Sequence, residues 1–291
     1  MALNKQVWVN QVLENFYPSD SFLKPVSDFT AFVENDMIHF PSAGIDPKVL
    51  INNSTYPIKV LQRSDNDHQI ELDLFETENT LVRRPEAIEL SYNKLESVVS
   101  QHRNTLRKGV SCKAAHAFAP TSDTADTPVI MTTGAAVNGR KRMTFEDLLT
   151  MKERFDAAEI PLEDRYIILH PKHVTDLLLE DIKLFKNLTD IQDGEPFRFA
   201  GFGCFQFPYM PHYRNDGGTL KKVAFDTEDQ GEQFASVAYY AKEVMKADGE
   251  VHMYARVDDP EERGSIVGFD KRFVAMPIRG KGIGAIVSAN A

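Results

Sequence analysis

The sequence has little cysteine, a single tryptophan and no long apolar run. Its two cysteines, Cys112 and Cys204, lie far apart among 291 residues, with no CxxC pair and no Cys/His cluster. This excludes a disulfide framework and argues against a structural zinc site. No apolar stretch reaches the roughly 20 residues that a membrane-spanning helix needs, and the N-terminus lacks the basic-then-apolar order of a signal peptide. The sequence therefore predicts free thiols and no membrane association.

Positive charge is also scarce. The chain has 33 basic and 43 acidic residues, a net charge of −10. Its basic clusters are short: Arg83-Arg84, Arg103 to Lys108 and Arg140 to Arg142. Binding through phosphates needs a concentrated basic face, whereas short clusters are more typical of solvated faces or local ion pairs. The composition argues against sequence-specific DNA binding, although an acidic chain can enclose DNA that it does not grip.

Motifs for catalysis or cofactor binding are missing. No G-x-S-x-G nucleophile turn occurs. The run Gly280–Gly284 lacks the Ser or Thr and the following helix of a phosphate-binding loop, and indicates a flexible strand end. His170 and His173 have the spacing of metal ligands but no further ligand nearby, and Pro171 at a helix start explains the segment. We therefore predict no catalytic residue, no cofactor and no metal.

The beginning of the chain predicts an arm. Trp8, Val12 and Phe16 follow one another at helical spacing before Pro18, and an extended segment continues to about residue 30. A helix of this length is marginal in water on its own. We therefore expect its apolar stripe to dock on another surface.

Residues 31–82 predict an extended two-stranded excursion. Strands are expected at Met37–Phe40, Ile58–Leu61 and Ile70–Phe75, separated by turns rich in proline and glycine and by a polar tip at 64–68. Two strands alone are marginally stable. Another copy of the chain is the natural surface for them.

Helices and short strands alternate further on. Residues 85–118 predict the longest helix, because Val99, His102, Leu106 and Val110 recur at steps of three and four. Thr144 and Asp147 form a reciprocal capping pair that begins a second helix. A buried strand at Arg165–Leu169 leads to a third helix, which starts at Pro171, and residues 197–210 read as strand and turn. The remaining predictions are a helical stretch around 229–247 and strands near 250–257, 265–269 and 272–278.

This order of elements resembles the major capsid (coat) protein family of tailed bacteriophages, the Hong Kong ninety-seven-like fold. The closest local similarities are PLEDRYI followed by ILHPKHVTDLLLED, within residues 160–181, and ELSYNKLESVVSQHRNTL at 89–106. The resemblance implies an α+β chain with five parts. They are an N-terminal arm at 1–30, an extended β-hairpin loop at 31–82, a peripheral domain with a long spine helix at 83–143, an axial domain at 144–245, and strands that return to the peripheral domain at 246–291.

The resemblance also implies a function, which is to assemble with other copies into pentamers and hexamers of an icosahedral head around double-stranded DNA. A separate scaffolding protein, a portal and possible decoration proteins are the implied partners. The location is the virion, after assembly in the host cytoplasm. The expected contacts between subunits are Trp8, Asp46, Lys48, Lys59, Arg63, Arg83 and Arg84. Lys59 is a conceivable donor for the covalent cross-links of part of the family, although no pattern supports it.

Two alternatives remain open from the sequence. One keeps the fold and makes the chain the shell of an encapsulin-like compartment loaded with an enzyme. The other is an α/β enzyme whose active site carries no recognisable motif.

Overall fold

The structure, a computed structural model, describes residues 22–42, 66–83, 93–180, 197–227 and 233–291. The helix predicted at 5–16, the strand predicted at Ile58–Leu61 and the start of the long helix lie outside these residues.

Three α-helices and many strands make up the described chain, which confirms the α+β class. The helices are α1 (Asn93–Phe118), α2 (Phe145–Ala157) and α3 (Pro171–Glu180), and a 3-10 turn covers Thr30–Phe32. The strands are β1 (Ser27–Asp28), β2 (Val33–Glu34), β3 (Met37–Ser42), β4 (Asn66–Glu71), β5 (Asp73–Glu76), β6 (Thr80–Arg83), β7 (Val129–Met131), β8 (Ala136–Val137), β9 (Arg140–Lys141), β10 (Arg165–Leu169), β11 (Phe197–Phe199), β12 (Phe202–Gln206), β13 (His212–Asp216), β14 (Thr219–Lys222), β15 (Gln233–Tyr240), β16 (Val244–Asp259), β17 (Gly264–Pro277) and β18 (Ile283–Val287).

The predicted helix signals are confirmed. In α1 the stripe of Val99, His102, Leu106 and Val110 is buried. Helix α2 begins with a capping box, in which Thr144 accepts from the backbone N–H of Asp147 and the Asp147 carboxylate accepts from that of Thr144. Helix α3 starts at Pro171, as its fixed φ and missing N–H favour.

Strands β7, β10–β15 and β18 form the central sheet. Strands β10 and β18 lie on either side of β15, with β12 and β11 beyond β10 and β7 beyond β18. Its two faces follow the alternation of side chains along a strand. Ile167 and Leu169 share a core with α2 and α3, whereas Ile168 shares a core with the end of α1. Helices therefore cover both faces, α2 and α3 on one and α1 on the other.

Strands β1, β5, β6, β16 and β17 form a second sheet, the ribbon sheet. It is built on the long antiparallel hairpin of β16 and β17, with β1 parallel to the start of β16 and with β5 and β6 paired to β17. The first half of α1 packs on it, with the His102 and Phe269 ring centroids 5.3 Å apart. At the C-terminal end of α1, the Phe118 ring lies 5.3 Å from the Tyr239 ring in the central sheet. Helix α1, the expected spine helix, thus joins both sheets into one core.

Several predicted elements were wrong. The helical stretch around 229–247 is instead strand β15 and the start of β16 in the residues described there. Both faces of β15 are buried, so neither helical nor strand periodicity marks it. The run Gly280–Gly284 is a strand end only in part, because residues 280–282 form the loop before β18, whereas Ile283 and Gly284 lie buried in β18. A Cβ on Gly284 would lie less than 3 Å from side-chain atoms of Met151 and Phe155 of α2.

Two strand boundaries also differ from the prediction. The strands expected at 265–269 and 272–278 are the single strand β17, which continues through the charged residues between them. There Lys271 forms a buried ion pair with Asp248, and burial lowers the pKa of Lys271 to about 8. The strand expected at Ile70–Phe75 is split at Leu72, where the chain leaves β4 for the ribbon sheet.

The sheet pairing cuts across two of the expected domain ranges. Strand β7, within 83–143, and strand β18, within 246–291, both belong to the central sheet, where they pair in parallel. Within the expected arm, Phe22, Leu23 and Val26 are buried in the core of their own subunit.

Candidate subunit interface

A third sheet of β2, β3 and β4 forms the base of the predicted extended hairpin. Strands β3 and β4 pair antiparallel over six residues each, from Met37 opposite Glu71 to Ser42 opposite Asn66. Residues 66–68, expected in the polar tip, are therefore strand. The connection between the two strands, residues 43–65, lies outside the described chain.

The base of the hairpin is fixed to its own subunit. Ile38 and Leu72 are buried against Met245 and other residues of the ribbon sheet, on the face opposite α1. The guanidinium of Arg272 lies 3.1 Å from the Asp36 carboxylate. The base of the hairpin is therefore part of the body of its own chain.

Of the seven residues predicted to contact neighbouring copies, Arg83 is the one that lies within the described ranges. Trp8, Asp46, Lys48, Lys59, Arg63 and Arg84 lie outside the described ranges. Arg83 is exposed at the end of β6, opposite Gly264 at the start of β17. The backbones approach so closely that a Cβ on Gly264 would lie 2.6 Å from the Val82 carbonyl oxygen. Arg83 thus lies beside the turn of the β16–β17 hairpin.

An edge of the ribbon sheet carries exposed apolar side chains that the sequence analysis missed. Tyr254 is 59% exposed and Val257 57% exposed, both on β16. Beyond them Asp259 accepts from the Arg256 guanidinium at 2.7 Å and from the backbone N–H groups of Glu261 and Glu262, which holds the pKa of Asp259 below its ordinary value. The strand predicted at 250–257 contained part of the signal, since Tyr254 falls outside the buried alternation of Val251 and Met253. Val257 is in phase with that alternation, and its exposure is not visible in the sequence.

The histidine pair at the start of α3 is a packed cluster. His173 is fully buried, with Nδ1 2.7 Å from the Ser236 hydroxyl, and the His170 ring stacks at 4.1 Å on Phe234. Burial, with nearby cations, lowers the pKa of His170 to about 4 and that of His173 to about 3. Across the ranges that the structure covers, no group of three His, Cys, Asp or Glu side chains could hold a metal ion.

The two thiols lack the setting of a nucleophile. Both cysteines are free, and burial raises the pKa of Cys204 to about 12. Burial also raises the pKa of Cys112. A reactive cysteine needs the opposite shift of its pKa, which favours the thiolate.

No helix in the described chain is long and apolar enough to cross a membrane.

Comparison with known proteins gives a structural likeness only. No family model and no curated protein matches the sequence. The capsid of cyanophage P-SCSP1u superposes with a TM-score of 0.65 at 14% identity, covering 95% of this chain and 90% of that one. The capsid of cyanophage Pam1 gives 0.61 at 13% identity, covering 94% of each chain.

A virus-like particle protein from Pyrococcus furiosus is similar over almost its whole length. The TM-score is 0.58 at 12% identity, and the match covers 97% of this chain and 99% of that one. At such identities the likeness concerns the fold. The described chain contains a hairpin base, the long helix α1 packed on two sheets, and a long closing ribbon. This chain has the α+β fold of the tailed-phage major capsid proteins, as its sequence predicts.

Proposed function

We propose that this chain is a structural protein that assembles with copies of itself into a closed shell. The observation that carries the proposal is the match to solved capsids over nearly the whole length of both chains. The described residues support it, because apolar side chains remain exposed on β16. In the proposal the chain has no catalytic role.

The finer form of the proposal is the head of a tailed phage. Five or six copies form each ring, the rings form an icosahedral shell, and the shell encloses double-stranded DNA without reading its sequence. The shell forms in the host cytoplasm with a separate scaffolding protein and a portal, and decoration proteins are possible additions. Repeated weak contacts stabilise such a shell through avidity.

Within this proposal the expected parts keep their roles with adjusted limits. The arm within 1–30 and the loop within 31–82 contact neighbours through their portions outside the subunit body. The spine helix and the ribbon sheet form the peripheral domain of 83–143 and 246–291, and the central sheet, with β7 and β18, forms the axial domain around 144–245. The proposed contacts remain Trp8, Asp46, Lys48, Lys59, Arg63, Arg83 and Arg84.

A second candidate is the shell of an encapsulin-like compartment. The observation that favours it is the likeness to the Pyrococcus furiosus virus-like particle, which covers 99% of that chain. The fold is the same in both candidates. What the shell contains therefore separates them.

Production of the full chain, alone and together with the products of neighbouring genes, tests the proposal. We expect particles of megadalton size in size-exclusion chromatography and icosahedral shells in electron micrographs. Nuclease-protected DNA inside the particles supports the phage head, whereas a protein cargo in place of DNA supports the compartment. A monomer or dimer under every one of these conditions would overturn the shell in both forms.

A further inference from the structure

Two oppositely charged patches lie on α1 and α2, helices whose buried residues belong to separate cores. The first, the basic patch, consists of Arg103, Arg107 and Lys108 on α1 together with Tyr209. From Ser97 to Phe118 the sequence contains no Asp or Glu, although the whole chain has a net charge of −10. Cations held four residues apart repel one another on a helix. An anionic partner would relieve this repulsion.

No residue of the described ranges neutralises the basic patch. Arg107 and Lys108 are exposed and form no ion pair with another residue of the described ranges. Lys108 instead places its Nζ 4.2 Å from the ring centroid of Tyr209, which is itself 49% exposed. The patch thus combines two arginines and a lysine with an accessible tyrosine, and Arg and Tyr are enriched in protein interfaces.

The second patch, the acidic patch, lies on α2. Glu146, Leu149 and Glu153 follow one another at steps of three and four, on the side opposite the buried stripe of Leu148, Met151 and Phe155. Leu149 is 53% exposed. Among the described residues, neither Glu146 nor Glu153 has an ion-pair partner, unlike Asp156 on the same helix, which pairs with Lys152 and Arg165.

The two patches complement each other in charge and each has one exposed apolar group. They do not meet within one subunit, because the α1 residues Leu106 and Val110 and the α2 residues Leu148 and Met151 pack into separate cores. A contact between them therefore joins two copies head to tail. Such heterologous contacts close into rings when the rotation per subunit allows it.

We propose that the acidic patch of one copy, Glu146, Leu149 and Glu153, binds the basic patch of the next copy, Arg103, Arg107, Lys108 and Tyr209. The proposal rests on the shell function and adds the surface that joins neighbours within a ring. DNA is the competing anion for the basic patch. The second copy is favoured because the same chain carries a surface of complementary charge, with an exposed apolar side chain between its two carboxylates.

Charge reversal on each patch tests this contact in the full-length chain. The variants are Glu146→Lys with Glu153→Lys, Arg107→Glu with Lys108→Glu, and all four changes in one chain. Because the four residues are exposed, each unassembled variant is expected to melt like the wild type. Each double reversal is expected to raise the critical concentration for assembly about tenfold, the equivalent of about 1.4 kcal/mol. The fourfold variant is expected to return to within about threefold of wild type.

A matched control separates a specific contact from net charge. Arg107→Glu with Lys108→Glu is combined with Glu76→Lys and Glu78→Lys, which are exposed residues of the ribbon sheet and its adjoining loop. This chain has the same net charge as the fourfold variant, yet assembly is expected to stay impaired. Recovery of assembly in it would overturn the proposed contact.

Further outcomes of the charge-reversal experiment also test the proposed contact. Double reversals that assemble like the wild type refute the contact, and so does a fourfold variant that stays as impaired as its parents. If Arg107→Glu with Lys108→Glu leaves shells intact but lowers their DNA content, the basic patch binds DNA instead. A wild-type chain that never forms particles removes the proposed function as well, whereas the preceding results leave the shell standing and remove only this contact.

Discussion

At the scale of single residues, the start of α3 holds two histidines in their neutral form. His173 is enclosed and His170 is stacked on Phe234, and burial is the main cause of the lowered pKa of each, to about 3 and about 4. In the unfolded chain both titrate near the ordinary value of about 6.5. Between these values the unfolded state binds more protons, so stability falls as the pH drops from about 6.5 toward 4.

Substituting His170 by Asn removes one of these titrations. The Nδ1 of His170 accepts from the backbone N–H of Lys172, and Asn can accept there as a good N-cap residue. We expect urea unfolding of the unassembled subunit, measured from pH 7 to pH 4.5, to show a pH dependence shallower by up to about one proton. His252→Asn is the control, because His252 lies exposed on β16. If the stability of His170→Asn depends on pH as that of the wild type does, the His170 ring does not contribute to the loss of stability in acid.

At the scale of elements, the C-terminus of the spine helix is held by a lysine from β14. Lys222 donates from Nζ to the backbone carbonyls of His116, at 3.1 Å, and Ala119, at 2.6 Å. The last carbonyls of a helix have no partner within it, and a cation there also interacts favourably with the helix dipole. His116 adds a bond from its ring to the Val223 carbonyl at 2.8 Å. The β13–β14 hairpin therefore closes the end of α1.

Lys222→Met is expected to lower the free energy of unfolding by about 1–2 kcal/mol, because it removes both bonds and keeps the apolar stem. The adjacent Lys221 points to solvent and pairs with Asp216 at the surface. Lys221→Met is thus the matched control and is expected to cost less than about 0.5 kcal/mol. Denaturant unfolding of the unassembled subunit measures both, and equal losses would argue against a capping role for Lys222.

The sequence predicts an element correctly when the signal for that element lies in its own residues. Helices α2 and α3 carry their own start signals at Thr144 and Pro171, and α1 carries a continuous stripe. Strand β15 was taken for a helix because both of its faces are buried by other elements, which removes any period of its own. The charged centre of β17 is tolerated because Lys271 finds Asp248 on the neighbouring strand, a contact that no local pattern reveals.

The candidate interface was predictable in outline only. The paired base of the hairpin follows from strand signals and turn residues, and is confirmed at β3 and β4. The residues of the acidic and basic patches can be read from the sequence. That the two patches belong to different sides of the molecule follows only from the packing of α1 and α2 into separate cores. That arrangement follows from the pairing of strands far apart in the chain, such as β15 with β18.

At the scale of the whole molecule, the arm divides into two parts at about residue 22. From there the chain belongs to the subunit: Phe22, Leu23 and Val26 are buried, the Tyr239 hydroxyl donates to the Phe22 carbonyl at 2.6 Å, and β1 extends the ribbon sheet. Residues before it, including Trp8, are those proposed to reach a neighbour. Two truncations therefore separate folding from assembly.

Deletion of residues 1–21 is expected to leave the melting temperature of the unassembled subunit unchanged and to prevent shell formation. Deletion of residues 1–28 is expected to unfold the subunit, because loss of a large buried apolar side chain costs about 2–5 kcal/mol and the total stability of a domain is about 5–15 kcal/mol. Trp8→Ala in the full chain should weaken assembly as the shorter deletion does, with the fold intact, since buried tryptophans dominate interfaces. Calorimetry and light scattering distinguish these results. Normal shells from the chain without residues 1–21 would show that the arm makes no contact that the assembly needs.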